Sequence, residues 1–296
     1  MERSPFVMTP ERSIREAFTE ASSFLNNLGV LEPQRNAQLL LEHVLGLSGT
    51  SYYMALPEPF PADRREVWED AVNRKAQGEP AQYITGEQEF YGRVFEVTPD
   101  VLIPRPETEL LVEAVLKEAG EMPGLRVADI GTGSGAIAAT LALEARAWQV
   151  AASDISPEAL RVAARNAARL GARVEFRQGN LLEPFAGAAL DIVVSNPPYI
   201  PAADIEALQP EVREYEPRMA LDGGDDGLHP YRIMMKQLGL LAAPPRIIAF
   251  ELGMGQAEDV AELLSSAGHW EQIVTVKDLA GIERHVLGVS PLKPGK

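Results

Sequence analysis

A short polar stretch after an apolar run is the strongest candidate for a catalytic site in this sequence. It reads Ser195-Asn196-Pro197-Pro198-Tyr199 and follows the apolar residues LDIVV. Proline fixes its own φ and holds the preceding residue extended, so Pro198 fixes the direction of the Pro197 carbonyl. With the Asn196 side-chain oxygen beside it, two acceptors can bind both hydrogens of one planar NH2 group. The pattern predicts a site for an amide or for the amino nitrogen of a nucleobase.

A glycine-rich stretch provides a second candidate, a cofactor site. Residues 129–135 read DIGTGSG between a predicted strand and a predicted helix. Glycine lacks the Cβ that would keep a ligand from the backbone, and the free N–H groups of a helix start favour a polar or anionic group. An acid at the end of the next strand can hold a ribose hydroxyl pair. Nicotinamide cofactors and S-adenosylmethionine both fit, since both carry adenosine, and a turn without a ligand is the alternative. The residues concerned are Asp129, Gly131, Thr132, Gly133, Ser134, Gly135 and Asp154.

Strands and helices alternate through the last two thirds of the chain, as a parallel sheet requires. Residues 125–130 and 149–154 are predicted strands, with a helix between them that ends near Ala145. Further strands are predicted in RVEFRQ, LDIVVS, RIIAFEL, EQIVTV and ERHVLGV. Ligands bind at the carboxyl ends of strands in such sheets, so both candidate sites are expected at that edge.

The first part of the sequence is typical of a separate helical domain. Thr9 and Pro10 are suited to start a helix that ends at Gly29, and two further helices are predicted before Gly78. The next residues mix aromatic and β-branched side chains with glycine and proline, which indicates a hairpin. The predicted organisation is a helical domain over 1–79, a β-hairpin linker over 80–106 and a catalytic domain over 107–296.

Composition and charge narrow the classes of function. The 296 residues include 43 acidic and 27 basic side chains, a net charge of −16, and no cysteine. This acidity disfavours a protein that grips nucleic acid through a basic face, and a basic protein partner is its natural complement. Thiolate chemistry is excluded, and no metal is predicted because His43, His229, His269 and His285 form no ligand motif. With no apolar segment near the ~18 residues that span a bilayer, and no signal-peptide pattern, a cytoplasmic protein is expected.

Longer motifs resemble one family. The stretches GTGSGAIA, SNPPYI, IPRPETELLVE and EPRMALDGGDDGLHPYR are similar to those of release factor glutamine methyltransferases, the HemK or PrmC family. The resemblance spans most of the chain, from the helical N-terminal region and YITGEQEFYG to FELGMGQ and KDLAGIERHV. NPPY alone is shared with amino-methyltransferases of DNA, whereas its combination with PRPETE and ALDGGDDGL is highly specific.

The resemblance implies an α/β fold: a class I methyltransferase with a Rossmann-like seven-stranded sheet, its last strand antiparallel, after a helical bundle that binds the substrate protein. It implies S-adenosylmethionine as methyl donor and, as acceptor, the glutamine in the Gly-Gly-Gln loop of class I peptide chain release factors. A monomer without direct contact to nucleic acid or membrane is expected. Cofactor roles carry over to Gly131–Gly135, Asp154 and Asn196, and adenine contact to Asn180-Leu181, where many relatives have Asp followed by an aromatic residue.

The implied reaction is direct displacement at the sulfonium methyl group by the glutamine nitrogen. Asn196, Pro197, Pro198 and Tyr199 match the family's substrate motif, with Asn196, Pro197 and Tyr199 as the catalytic residues. Two other hypotheses stay open: an adenine N6-methyltransferase of DNA or RNA with the same NPPY geometry, and a binding module with a vestigial cofactor fold. The net charge of −16 disfavours the first, and the intact GTGSG and NPPY disfavour the second. No role is assigned to Arg105, Glu107 or Glu251.

Overall fold

The computed structural model describes residues 4–290, in two units. The first unit extends to Glu87 and also includes Gln209–Tyr215, and the second consists of Gln88–Leu208 and the chain from Glu216 onward. Domain limits at residues 79 and 106 stay predictions. No helix among the described residues is long and apolar enough to cross a membrane.

The first unit is helical. Its apolar core contains Leu25, Leu40, Leu41 and Trp68, which are fully buried. Its helices are α1 (Ile14–Asn27), α2 (Pro33–Leu45), α3 (Gly49–Ala55), α4 (Arg65–Ala76), α5 (Ala81–Thr85) and, from the returning segment, α9 (Pro210–Tyr215).

Helix α1 begins at Ile14, so the prediction of a start at Thr9 and Pro10 is wrong. Ser13 is the cap: its Oγ accepts a hydrogen bond from the Glu16 N–H at 3.3 Å, and the Glu16 carboxylate accepts from the Ser13 N–H at 2.8 Å. This capping box satisfies two backbone donors at once. Thr9 cannot form one, because Arg12 and not an acid or glutamine stands three residues after it.

The second unit is an α/β domain built on one large sheet. Its elements are β1 (Glu87–Phe90), β2 (Arg93–Glu96), α6 (Pro106–Ala119), β3 (Arg126–Ile130), α7 (Ala136–Glu144), β4 (Gln149–Asp154), α8 (Pro157–Leu170), β5 (Val174–Gln178), β6 (Ile192–Ser195), α10 (His229–Gln237), β7 (Ile247–Glu251), α11 (Ala257–Ala267), β8 (Gln272–Lys277) and β9 (Glu283–Val289). Strand β1 begins at Glu87, where the first unit ends, and its other residues belong to the second unit. Strands β1 and β2 form a separate two-stranded sheet.

The large sheet has the order β5-β4-β3-β6-β7-β9-β8. The first five strands in that order are parallel, and β9 is antiparallel to both of its neighbours. This confirms the predicted α/β class with a mostly parallel seven-stranded sheet. Ile130 pairs in register with Ser153 and with Ser195, so the chain leaves three neighbouring strands at one level. Such a switch point next to the first strand of the sheet is where open α/β sheets bind ligands.

Candidate active site

A cavity of about 860 Å³ lies at the carboxyl ends of the parallel strands. This volume is in the range of cavities that bind small molecules. Both candidate sites from the sequence contribute to its lining, which includes Gly131, Thr132, Gly133, Ser134, Asp154, Asn180, Leu181, Asn196 and Pro198. The other predicted residues, Asp129, Gly135, Pro197 and Tyr199, lie one or two positions from lining residues. The fold therefore brings the two candidates together.

The glycine turn after β3 is open toward a ligand. Gly131 and Gly133 have φ of 72° and 54°, and a Cβ on either would meet no protein atom within 4 Å. Gly135 has a different task, because a Cβ there would lie 3.0 Å from the Cβ of Ala163 in α8. The left-handed backbone and the bare surface are what a loop needs in order to approach a cofactor closely.

The buried Asp129 carboxylate holds this turn through hydrogen bonds. Its Oδ2 accepts hydrogen bonds from Thr132 Oγ1 at 2.6 Å and from the Ala138 N–H at 3.1 Å, while its Oδ1 has no hydrogen-bond partner among the described residues. Burial raises the pKa of the Asp129 carboxyl to about 7. The contacts hold the loop against the start of α7, and a direct role in cofactor binding stays a prediction.

Asp154 joins the glycine turn to the next loop of the cavity wall. Its Oδ2 accepts from the Gly133 N–H and its Oδ1 from the Ser156 N–H, both at 2.9 Å. Burial raises the pKa of this carboxyl, and its backbone hydrogen bonds oppose the rise. Each carboxylate oxygen has a further lone pair, so the group can also accept bonds from a pair of vicinal hydroxyls.

The loop after β5 has a strained backbone. Leu181 has a φ of 52°, a left-handed conformation that costs a non-glycine residue roughly 1–2 kcal/mol. Its carbonyl accepts from Ser153 Oγ at 3.1 Å, and the next N–H, that of Leu182, donates to Gln237 Oε1 at 2.9 Å. These bonds hold Asn180 and Leu181 in the cavity wall, where adenine contact was predicted.

The NPPY segment follows β6 directly. Ser195 is fully buried and donates from its Oγ to the Ile130 carbonyl at 2.6 Å, which anchors the segment beside the glycine turn. Asn196 and Pro198 line the cavity. Burial and the nearby Glu251 raise the pKa of Tyr199 well above its usual value, so this phenol stays neutral at physiological pH.

A clasp, defined here as residues 221–228 with Gln256, holds the NPPY segment in place. The Ile200 N–H donates to the Leu221 carbonyl at 3.0 Å, and the Gly223 N–H donates to the Ile200 carbonyl at 2.8 Å. Gln256 Nε2 donates to the Tyr199 carbonyl at 3.0 Å. Sequence reasoning gave the clasp no function, although the glycines of ALDGGDDGL were the available signal.

Thr108 and Glu251 form a buried polar pair beside Asn196. Thr108 Oγ1 donates to Glu251 Oε2 at 2.6 Å, and Asn196 Nδ2 donates to Thr108 Oγ1 at 3.2 Å. Both side chains are buried, and burial raises the pKa of Glu251 to about 7. From the sequence alone, no role was assigned to Glu251.

Arg105 shapes another wall of the cavity. It forms an ion pair with the buried Glu216, and its Nη1 donates to the Ile103 carbonyl at 2.7 Å. These contacts give the arginine a structural explanation. Among the described residues no group of three or more His, Cys, Asp or Glu side chains could hold a metal ion.

Comparisons with known proteins identify the family of this chain. The sequence model of the PrmC N-terminal domain matches residues 16–86, and that of the methyltransferase small domain matches residues 106–210. A release factor glutamine methyltransferase of Bacillus anthracis is 44% identical over 278 residues, covering 92% of this chain and 98% of the relative. The enzyme of that name from Geobacter sulfurreducens is 44% identical over 276 residues, covering 93% and 96%.

A solved structure supports the fold. The catalytic domain of hMettl16 superposes with a TM-score of 0.56 at 17% identity, covering 76% of this chain and 83% of that chain. Identity this low shows the fold alone. The full-length matches are far stronger, and they confirm the resemblance inferred from the motifs: this chain belongs to the release factor glutamine methyltransferase family.

Proposed function

We propose that this protein transfers a methyl group from S-adenosylmethionine to the side-chain amide nitrogen (N5) of the glutamine in the Gly-Gly-Gln motif of class I peptide chain release factors. One observation carries the proposal: among residues 4–290, no group donates a hydrogen bond to Asn196 Oδ1 or to the Pro197 carbonyl. Two neighbouring free acceptors match the two hydrogens of a primary amide. The family to which the chain belongs supports glutamine as the source of that amide.

The cavity fits S-adenosylmethionine as the cofactor. Gly131 and Gly133 leave the backbone bare, Asp154 can accept from the ribose hydroxyls, and Asn180-Leu181 offers a wall for the adenine. When bound, S-adenosylmethionine supplies an electrophilic methyl group on a positively charged sulfur. The protein's task is then to hold a weak nucleophile in line with it.

Asn196 and Pro197 meet that task. By accepting both N–H bonds of the amide, they orient its nitrogen and stabilise the positive charge that grows there as the nitrogen–carbon bond forms and the carbon–sulfur bond breaks. The methylated nitrogen is acidic and loses one proton to solvent, so no strong base is needed. We expect Tyr199, a neutral phenol next to the lining residue Pro198, to pack beside the amide and exclude water.

Substitution of Asp154 by alanine is expected to weaken S-adenosylmethionine binding about 10- to 100-fold, because it removes the acceptor for the ribose hydroxyls and loosens the Gly133 turn. Isothermal titration calorimetry measures the Kd directly. Asp191→Ala is the control, since Asp191 pairs with Arg126 and does not line the cavity. Equal Kd values for the two variants would contradict the ribose role.

Transfer of radiolabelled methyl from S-adenosylmethionine tests the whole proposal. Three acceptors are offered in parallel: an unmodified release factor, the same factor with its Gly-Gly-Gln glutamine substituted, and duplex DNA. Label on the first alone is the expected result. Label on DNA would favour the adenine hypothesis, and label on neither would refute both.

The adenine hypothesis has little support beyond the shared NPPY segment. The two relatives described above are named release factor glutamine methyltransferases, and this chain matches nearly their whole length. The net charge of this chain is −16. We further propose that the enzyme acts as a cytoplasmic monomer without direct contact to nucleic acid; these points stay predictions from the sequence.

A further inference from the structure

Three side chains from distant parts of the sequence form one hydrogen-bonded chain at the cavity wall. Glu251 is the last residue of β7, Thr108 lies in the first turn of α6, and Asn196 follows β6. Asn196 Nδ2 lies 3.2 Å from Thr108 Oγ1, which lies 2.6 Å from Glu251 Oε2. Thr108 and Asn196 line the cavity, whereas Glu251 lies behind them.

The chemistry of the three groups sets the direction of both bonds. A carboxylate only accepts, so the single proton of the Thr108 hydroxyl goes to Glu251. The hydroxyl oxygen then has only lone pairs to offer, and it must meet the NH2 end of the Asn196 amide. The amide oxygen is left as the free end. The ionised Glu251 carboxylate thus sets the orientation of the Asn196 amide through the Thr108 hydroxyl that lies between them.

We propose that Glu251, acting through Thr108, is a positioning residue that keeps the Asn196 oxygen, rather than its NH2, facing the substrate amide. The inference rests on the proposed function, because it assigns the Asn196 oxygen to the glutamine N–H. An Asn196 amide turned by 180° would present donors to donors and lose the contact.

The surroundings of Glu251 make this device sensitive to pH. Burial raises the pKa of Glu251 to about 7 and the charge of Glu107 adds to the rise, while the hydrogen bonds from Thr108 and Tyr199 and the charge of Arg284 oppose it. His285 Nε2 is 3.9 Å from Glu251 Oε2, beyond hydrogen-bond distance, and burial lowers the pKa of this histidine to about 4, so it supplies no positive charge at neutral pH. Among the described residues, the titratable side chains near Glu251 are those of Glu107, Tyr199, Tyr231, Arg284 and His285.

The sign of the pH effect follows from the proton on Glu251. Above its pKa the carboxylate accepts from Thr108 and the Asn196 oxygen faces the substrate. Below it, the protonated carboxyl can donate to Thr108, which frees the hydroxyl proton to bond the Asn196 oxygen and turns the amide. We expect kcat to fall on the acid side of the Glu251 ionisation near pH 7. The Asp129 carboxyl in the glycine turn also has a pKa raised to about 7, and its titration should remain in variants of Glu251 and Thr108.

The test compares variants that differ in one hydrogen-bonding group. Thr108→Val removes the hydroxyl at equal size. It is expected to lower kcat about tenfold and to remove the effect of the Glu251 ionisation on kcat, because no hydrogen bond then distinguishes the two orientations of the Asn196 amide. Thr108→Ser restores the hydroxyl and should recover most of that loss. Glu251→Gln should also abolish the ionisation. Thr140→Val is the matched control, since the buried Thr140 hydroxyl has no hydrogen-bond partner among the described residues and lies outside the site.

A second readout does not need the release factor. The side-chain NH2 resonances of Asn196, identified by their loss in Asn196→Ala, should titrate with pH in the wild type and stay constant in Glu251→Gln. Unchanged kcat, pH profile and resonances in folded variants of an active enzyme would overturn the positioning role. If Thr108→Val does not fold, Thr108→Ser and Glu251→Gln decide the question. A wild type that fails to methylate its release factor would instead refute the proposed function, and the resonances would still test the orientation of Asn196.

Discussion

Replacing Asn196 with alanine is expected to lower kcat at least about 100-fold, comparable to the loss of one preorganised hydrogen-bond group from an active site. The substitution removes one of the two acceptors proposed for the glutamine N–H groups and leaves the other, the Pro197 carbonyl, alone. The nitrogen then loses both its orientation and part of the stabilisation of its growing charge. Single-turnover methylation of an unmodified release factor measures the effect without interference from product release.

Calorimetry separates the two roles predicted for Asn196. If it acts mainly on the substrate, the Kd for S-adenosylmethionine should change only a few fold while kcat falls. A large rise in that Kd would show that the residue serves the cofactor as well. Thermal unfolding checks that the variant is folded, because Asn196 also donates to Thr108. Wild-type turnover in a folded Asn196→Ala protein would refute the assignment.

Replacing Gly227 with alanine is expected to reduce both stability and activity strongly. A Cβ at this position would lie 2.3 Å from the Tyr199 carbonyl oxygen and 2.4 Å from Gln256 Nε2, and the backbone φ is 76°. The overlap and the left-handed strain together should cost about 2–4 kcal/mol of unfolding free energy. A shift of the NPPY segment would relieve the overlap with the Tyr199 carbonyl. A displacement of about 1 Å at the reacting groups can lower the rate about 100-fold.

The control for this prediction isolates the backbone strain. Gly187 has a similar φ of 73°, but a Cβ there would meet nothing within 4 Å. Gly187→Ala should therefore lose about 1 kcal/mol of stability and keep its kcat. Urea unfolding and single-turnover methylation of both variants decide the matter. Equal losses in the two proteins would show that the clasp does not hold the catalytic segment.

Several features could be predicted because they depend on short stretches of chain. Glycine at 131 and 133 is required by a left-handed backbone, and two successive prolines stiffen the segment after Asn196 whatever surrounds it. The alternation of strands and helices likewise follows from local periodicity. The start of α1 was placed wrongly because Thr9 and Ser13 are both good caps, and the choice depended on the reciprocal bond that only Ser13 makes with Glu16.

The sequence by itself determined the family, the sheet class and the two motifs that line the cavity, since each is written in consecutive residues. Only the tertiary structure decided which side chains form the hydrogen bonds that orient Asn196. Thr108 is 88 positions from Asn196 and 143 from Glu251, and their contacts exist because α6 packs where the ends of β6 and β7 lie side by side. Hydrogen-bond direction depends on distances of a fraction of an ångström between such elements. The packing of the core sets those distances, and no single stretch of sequence contains them.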